Sequence, residues 1–543
     1  MTNGEGGGPA PRNSSSTGRH ALLVGAGILA SRLAGFARER VFAHYLGSSD
    51  AADAFKAALR IPNVLQNLFG EGALSASFIP VYARLLSEGR EEEARRTARA
   101  VATLLSLLVV VLVAAGVLAT PLLIDLIAPG FAGEKRDETI RLVRILFPGV
   151  GLLVLSAWCL GILNSHRRFL LPYAAPVLWN GAMIAALLAA GAGRPVPGEY
   201  AIASWTAWGA VAGSLLQLLV QLPAVVRLAG PLRPLWETSS ASVRTVFSNF
   251  LPSAGSRGVN QVASYVDQVM ASFLPTGAVA ALGYAQTLYL LPVSLFGMSV
   301  SAAELPEMSS GTGTAEEIAA SLRVRLDVAL RRVAFLVIPT VAAFLLLGDS
   351  LVALVFQTGR FGRRDVEVVW AILGGYAVGL LATTLGRLYS SAFWALSDTR
   401  TPLRFAVLRV LLASGLGWAL AFPGARALGL APLWGTAGLA LAAGLAGWVE
   451  MSLLRRALAR RVGRTGLPLG FVLRAGAAAT AGAGVAFGAK LLLAPLPPLV
   501  SGGAVLVLFG LLYLGASLAL RIPEASSLAS AVRRRLGRSA PGN

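Results

Sequence analysis

The run Val101–Thr120, VATLLSLLVVVLVAAGVLAT, carries no charge over 20 residues. That is the length a helix needs to cross the roughly 30 Å hydrocarbon core of a bilayer. Runs of this kind recur along the chain and dominate what it can become. Fourteen candidate spans fall at about 20–46, 55–83, 99–126, 140–163, 171–192, 200–227, 243–273, 278–303, 327–347, 366–396, 402–421, 431–455, 469–493 and 498–521. A large soluble protein would need polar helix faces, and these runs lack them. Of the 543 residues, 55% are hydrophobic and 14% charged, against about 25% charged in soluble domains. Mean hydropathy is +0.67. The expected fold class is an all-α polytopic membrane protein with about fourteen transmembrane helices.

The formal charge of +20 does not point to nucleic acid, because the arginines lie between apolar runs rather than on one soluble face. It follows the positive-inside rule instead. With the N-terminus inside, inner loops hold roughly 28 Lys or Arg and outer loops roughly 7. Both termini are then expected in the cytoplasm, with affinity for anionic headgroups. Residues 1–19, rich in Gly, Ser, Pro and Asn, read as a disordered tail and not as a signal peptide. Residues 523–543 read as a basic cytoplasmic tail containing Arg533, Arg534 and Arg535. Cys159 is the only cysteine, and His20, His44 and His166 are scattered. No disulfide framework, metal site or cofactor is expected.

The stretch from Ser31 to Pro80 is the anomaly. It covers the first two spans and includes Arg32, Arg38, Glu39, Arg40, Asp53, Lys56, Arg60 and Glu71. Charge at membrane depth is costly and usually faces a polar cavity or pathway. Arg32 and Arg38 are six residues apart, or about 120° around a helix after whole turns are removed. They can line neighbouring parts of one cavity but not one stripe. The guanidinium fork suits diphosphate oxygens; the plain alternative is an arginine snorkelling to the interface. Lys56 and Arg60, at i and i+4, repel unless an anion lies between them. Further intramembrane charges are Arg257, Asp267, Glu304 and Arg409.

The two halves echo each other weakly. Ile162–Pro172, ILNSHRRFLLP, precedes the fifth span, and Phe393–Arg404, FWALSDTRTPLR, precedes the eleventh. Each places a polar turn and a proline before the fifth span of a six-span set. This predicts lobes at 20–227 and 228–456, followed by two further helices at 457–522.

Six segments, in order, carry a resemblance. They are SRLAGFARERVFAHYLG (Ser31–Gly47), ADAFKAALRIPNVLQNLFGEGALSASFIPVY (Ala52–Tyr82), GILNSHRRFLLPYAAPVLWN (Gly161–Asn180), YAQTLYLLPVSLFG (Tyr284–Gly297), FQTGRFGRRD (Phe356–Asp365) and ALSDTRTPLR (Ala395–Arg404). On these residues the chain resembles the MurJ (MviN) family of lipid II flippases, of the multidrug/oligosaccharidyl-lipid/polysaccharide exporter superfamily. The resemblance implies two lobes around a central cavity, a groove for the polyprenyl tail on the last two helices, and alternating access without ATP hydrolysis. The implied partners are lipid II, membrane lipids and other cell-wall synthesis proteins, at the bacterial inner membrane. The implied function is lipid II flipping, with another polyprenyl-diphosphate-linked saccharide or a cation-coupled drug exporter as alternatives. A membrane transferase would need clustered Asp or His for metal-assisted chemistry, and none is visible in the loops.

Carried over residue by residue, Arg32, Arg38 and Arg60 match basic positions of the substrate cavity. Asp53 matches an outer-gate carboxylate, and Glu71 the acidic residue of the FGEG element. For both, a helix cap or a static ion pair is the competing reading. Gln66 and Thr287 stand where relatives carry basic residues. Arg257 is therefore expected to supply the charge that Thr287 lacks, with static pairing to Glu304 or Asp267 as the alternative. Some relatives use a carboxylate at the Asp267 position for sodium, together with Asn and Asp on the eleventh span. This chain has neither there and carries Arg409, whose guanidinium could pair with Asp267, so no conventional sodium site is expected.

Overall fold

The computed structural model describes residues 14–69, 71–193, 197–231, 233–238, 240–298, 314–493, 495–528 and 530. The first half comprises α1 (Ser14–Leu46), α2 (Asp50–Phe69), α3 (Glu71–Ser87), α4 (Glu91–Leu118), α5 (Thr120–Ile127), α6 (Gly133–Ser165), α7 (Leu170–Ala174), α8 (Pro176–Ala192) and α9 (Glu199–Ala229). Then follow α10 (Ala241–Ser272), α11 (Ala278–Pro292), α12 (Ala315–Leu346), α13 (Gly348–Phe356), α14 (Arg363–Ala395) and α15 (Arg400–Ala419). The last are α16 (Gly435–Val462), α17 (Leu469–Leu492) and α18 (Pro498–Ala519). No strand occurs among the described residues.

The predicted all-α polytopic class holds. Among the described residues, 11 helical segments are long and apolar enough to cross a membrane. The other three predicted spans lie on α1, on α2 with α3, and on α10, which carry Arg32 and Arg38, Asp53 and Arg60, and Arg257 and Asp267. The second predicted span is two helices, ending at Phe69 and restarting at Glu71. Many helices overrun the apolar core: α6 and α14 have 33 residues each, about 50 Å of helix.

The halves repeat the same order of elements. A long helix, a short one and a 33-residue one follow each other as α4, α5, α6, with 28, 8 and 33 residues. They follow again as α12, α13, α14, with 32, 9 and 33 residues. The loops that enter the 33-residue helices each carry a glycine pair, Gly130/Gly133 and Gly359/Gly362, a correspondence not noticed in the sequence reading. The corners noticed there share one backbone. Arg168 N–H bonds Leu163 O at 2.8 Å and Arg167 N–H bonds Asn164 O at 3.0 Å; Asp398 N–H bonds Phe393 O and Ser397 N–H bonds Trp394 O, both at 2.9 Å. Arg167 and Ser397 both adopt φ of 58°. This is the paired main-chain bonding of a Schellman helix end, with a left-handed residue closing it.

The chain clusters into two compact units. One gathers α1 as far as Phe42, then Ala58–Ile124 and Arg136–Val262; the other gathers Ala43–Ala57, Asp125–Lys135 and the chain from Ala263 onward. In the first, Phe78, Tyr82, Trp158 and Phe250 lie in one apolar core. In the second, Tyr284 packs its ring against Phe356 and Phe361, with centroids 5.0 and 5.2 Å away. There α14 and α16 meet at glycine: a Cβ on Gly379 would stand 2.2 Å from the Gly444 Cα. Such close backbone approach is how membrane helices gain packing that lipid does not drive. α17 and α18 join this unit too. The Tyr513 hydroxyl donates to Phe335 O at 2.7 Å, and Lys490 pairs with Asp349.

Candidate functional site

In the first unit the basic residues of α1 have distinct surroundings. Arg32 is exposed on the helix. Arg38 is not: its side chain is 15% exposed, 2.6 Å from Glu39 and 5.1 Å above the Trp179 ring of α8. Carboxylate and indole together hold a guanidinium that would be unstable alone at this depth. On α2, Arg60 and Gln66 are half-buried, and Arg60 has interactions of its own. Glu71 opens α3 and Arg257 lies within α10. Their side chains, and Glu304 altogether, lie outside the described residues.

In the second unit Asp53 is 1% exposed. Its carboxylate accepts from Lys135 Nζ at 2.7 Å, Gly277 N–H at 2.8 Å and Ala280 N–H at 2.7 Å. It therefore caps the start of α11 while paired with a lysine. Gly277 is suited to its place: its φ is 89°, and a Cβ there would approach Ser48 O to 2.6 Å. Lys135 also reaches Asp50 at 2.8 Å, and the Thr276 hydroxyl donates to Asp50 at 2.9 Å. Gly47 O accepts from the Tyr284 hydroxyl, and His44 O from Arg360 N–H, at 2.8 and 2.9 Å. The loops that follow the predicted first, third, seventh and ninth spans thus converge, as loops on one face of a membrane must.

Lys56 lies 4.9 Å above the Tyr284 ring and has further interactions. The Thr287 hydroxyl is used within α11, donating to Gly283 O at 2.9 Å. Arg409 sits 2.9 Å from Glu450 of α16, a partner the sequence reading missed although WVEMS places a carboxylate inside a predicted span. Asp267 is half-buried on α10 and has interactions of its own. Lys135 and Trp179 were also missed: one is a single member of the charged run Glu134–Glu138 between predicted spans, and the other reads as an apolar residue.

The guanidinium fork of Arg32, Arg38 and Arg60 is of a kind that fits phosphate oxygens, and the Asp53 carboxylate already accepts from Lys135, Gly277 and Ala280.

Comparisons with known proteins bear on the family and the fold. The family model described as lipid II flippase MurJ matches residues 42–494. A probable lipid II flippase MurJ of Rhizobium tropici is 32% identical over 445 residues, covering 81% of this chain and 80% of its own length. A lipid II flippase MurJ of Burkholderia cenocepacia is 31% identical over 450 residues, covering 82% and 84%. Among solved structures, a lipid II flippase MurJ in an inward closed conformation matches with a TM-score of 0.72 at 24% identity, over 92% of this chain and 99% of its own. A multidrug resistance MATE family transporter, inward-facing, matches at 0.63 and 17% identity, over 79% and 95%. The chain belongs to the MurJ family of lipid II flippases.

Proposed function

We propose that this protein carries lipid II from the inner to the outer leaflet of the bacterial inner membrane by alternating access. The observation that carries this reading is the family match over residues 42–494. Arg32, exposed on a helix of membrane length, is the first contact for the diphosphate, because a guanidinium holds phosphate oxygens bidentately. Arg38 and Arg60 follow, and Arg257 adds the positive charge that Thr287 does not provide. Asp53 and Glu71 act as gate residues. The Arg409 guanidinium, already beside Glu450, takes the place of a bound cation at Asp267, and Glu304 is a further carboxylate for an ion pair. Residues 20–227 and 228–456 move as lobes, 457–522 hold the polyprenyl tail, and both termini face the cytoplasm. Other cell-wall synthesis proteins are its partners there.

A second substrate class, another polyprenyl-diphosphate-linked saccharide, is favoured by one observation. Gln66 and Thr287 remove two basic residues that the family resemblance leads one to expect, and the Thr287 hydroxyl is engaged within its helix. The test is complementation of a strain depleted of its lipid II flippase. Wild type restores growth and Arg32→Ala does not. Failure of the wild-type protein, when present at normal levels in the membrane, rejects lipid II as its substrate.

A further inference from the structure

We propose that a cavity in the first unit binds the phosphate of an anionic glycerophospholipid. It measures about 250 Å³ and lies between α4, α6, α9 and the segment after α9. Two arginines line it: Arg99 of α4 and Arg233 of that segment.

Two of its buried donors are unspent, while the Thr103 and Ser106 hydroxyls bond carbonyls of their own helix. Trp158 lines the cavity and is 3% exposed, yet its indole N–H has no acceptor among the described residues. Arg99 Nε is likewise buried without one. One Nη of Arg99 reaches Glu92 at 3.5 Å, and that carboxylate is 72% exposed. Arg233 has no carboxylate partner among the described residues. A buried donor left unmade costs about 1–3 kcal/mol, so two such donors at one cavity, with the exposed Arg233 guanidinium at its rim, point to an acceptor that is not part of the chain.

Depth and walls select a lipid over a soluble anion. α4 is charged from Glu91 to Arg99 and carries no charge from there to its end at Leu118. Arg99 therefore marks the polar–apolar boundary, where phospholipid phosphates lie and where Trp and Arg anchor membrane proteins. Leu155, Leu218 and Leu222 give the wall an aliphatic side, with the Thr103 and Ser106 hydroxyls also on it, which suits the glycerol and first methylenes of a lipid. Thr103 accepts the Leu235 N–H at 3.0 Å, which fixes the segment bearing Arg233 against α4. A phosphate between Arg99 and Arg233 would fasten it further.

The test uses the full chain in phosphatidylcholine nanodiscs, with and without phosphatidylglycerol, read by thermal melting and by native mass spectrometry of retained lipid. Phosphatidylglycerol is expected to raise the Tm and to be retained by wild type. Arg233→Gln, in an exposed segment, is expected to lose about tenfold in phosphatidylglycerol affinity. Trp158→Phe keeps the ring but removes the N–H and is expected to lose a smaller part. An undiminished phosphatidylglycerol effect in both variants overturns the proposal. So does inorganic phosphate reproducing the shift in pure phosphatidylcholine, which would make this a site for a free anion.

Discussion

Lys135 Nζ lies 2.7 Å from a carboxylate oxygen of Asp53, and Asp53 is 1% exposed. Removing one member of a buried pair leaves the other charge without compensation, typically a loss of about 3–5 kcal/mol. Asp53→Ala also strips the cap from two N–H groups at the start of α11. It is expected to lower the Tm sharply in detergent melts. Asp53→Asn combined with Lys135→Met, which removes both charges and keeps one acceptor, is expected to recover most of that loss. Equal melting of the single Asp53→Ala variant and wild type would show that the pair is not structural.

The two arginines of α1 separate function from stability. Arg32 is exposed, so Arg32→Ala should shift stability by no more than about 0.5 kcal/mol while abolishing complementation. Arg38→Ala removes the guanidinium 2.6 Å from Glu39, a carboxylate only 6% exposed. It should fail complementation and also lose about 1–3 kcal/mol of stability. Melting curves beside growth assays distinguish the two.

His166 lies just beyond the end of α6, half-buried, with Nε2 3.1 Å from the Tyr82 hydroxyl. Burial pushes its pKa below the ordinary 6.5; Glu91 opposes this and Arg168 adds to it. Because the folded pKa is depressed, the unfolded chain takes up the proton first as the medium acidifies. The stabilisation is present above about pH 6.5 and is lost as pH falls through the folded pKa. The Tm of wild type should fall more between about pH 7 and about pH 5 than that of His166→Gln. Parallel curves would exclude the histidine as the titrating group.

Gly379→Ala places a methyl where the Gly444 Cα already stands. Overpacking of this kind costs about 1–3 kcal/mol. Gly510→Ala is the matched control, since a Cβ there meets nothing within 4 Å. The first variant should melt well below wild type and the second close to it, in the same detergent.

Sequence periodicity and length were enough for the helices because lipid leaves few alternatives to them. Among the described residues every predicted span falls mainly on helix, and the charged ones are those where hydropathy alone is weakest. The corners at Arg167 and Ser397 were legible through a polar turn and a proline. The matching loops at Gly130 and Gly359 were not, since their side chains differ although the glycines coincide. At the site, the family motif identified Asp53 but not its surroundings. Lys135 is 82 residues away in sequence and Gly277 is 224, and local spacing carries no information about such closure. Arg409 was legible as a charge within a span. Its bond to Glu450 depends on how α15 packs against α16, which composition does not specify.

The paired corners show what duplication fixes and what it frees. Their closure is made by main-chain atoms, so no side chain at Arg167–Arg168 or Ser397–Asp398 is needed to hold it. In the second copy Asp398 accepts the Thr401 N–H and hydroxyl and the Arg461 guanidinium, and its pKa drops to about 2. In the first copy the equivalent position is Arg168, exposed beside exposed Arg167. One backbone thus presents a cationic edge in one copy and a self-neutralised edge in the other. The symmetry belongs to the scaffold and the polarity to the sequence, so the same corner carries two different electrostatic surfaces.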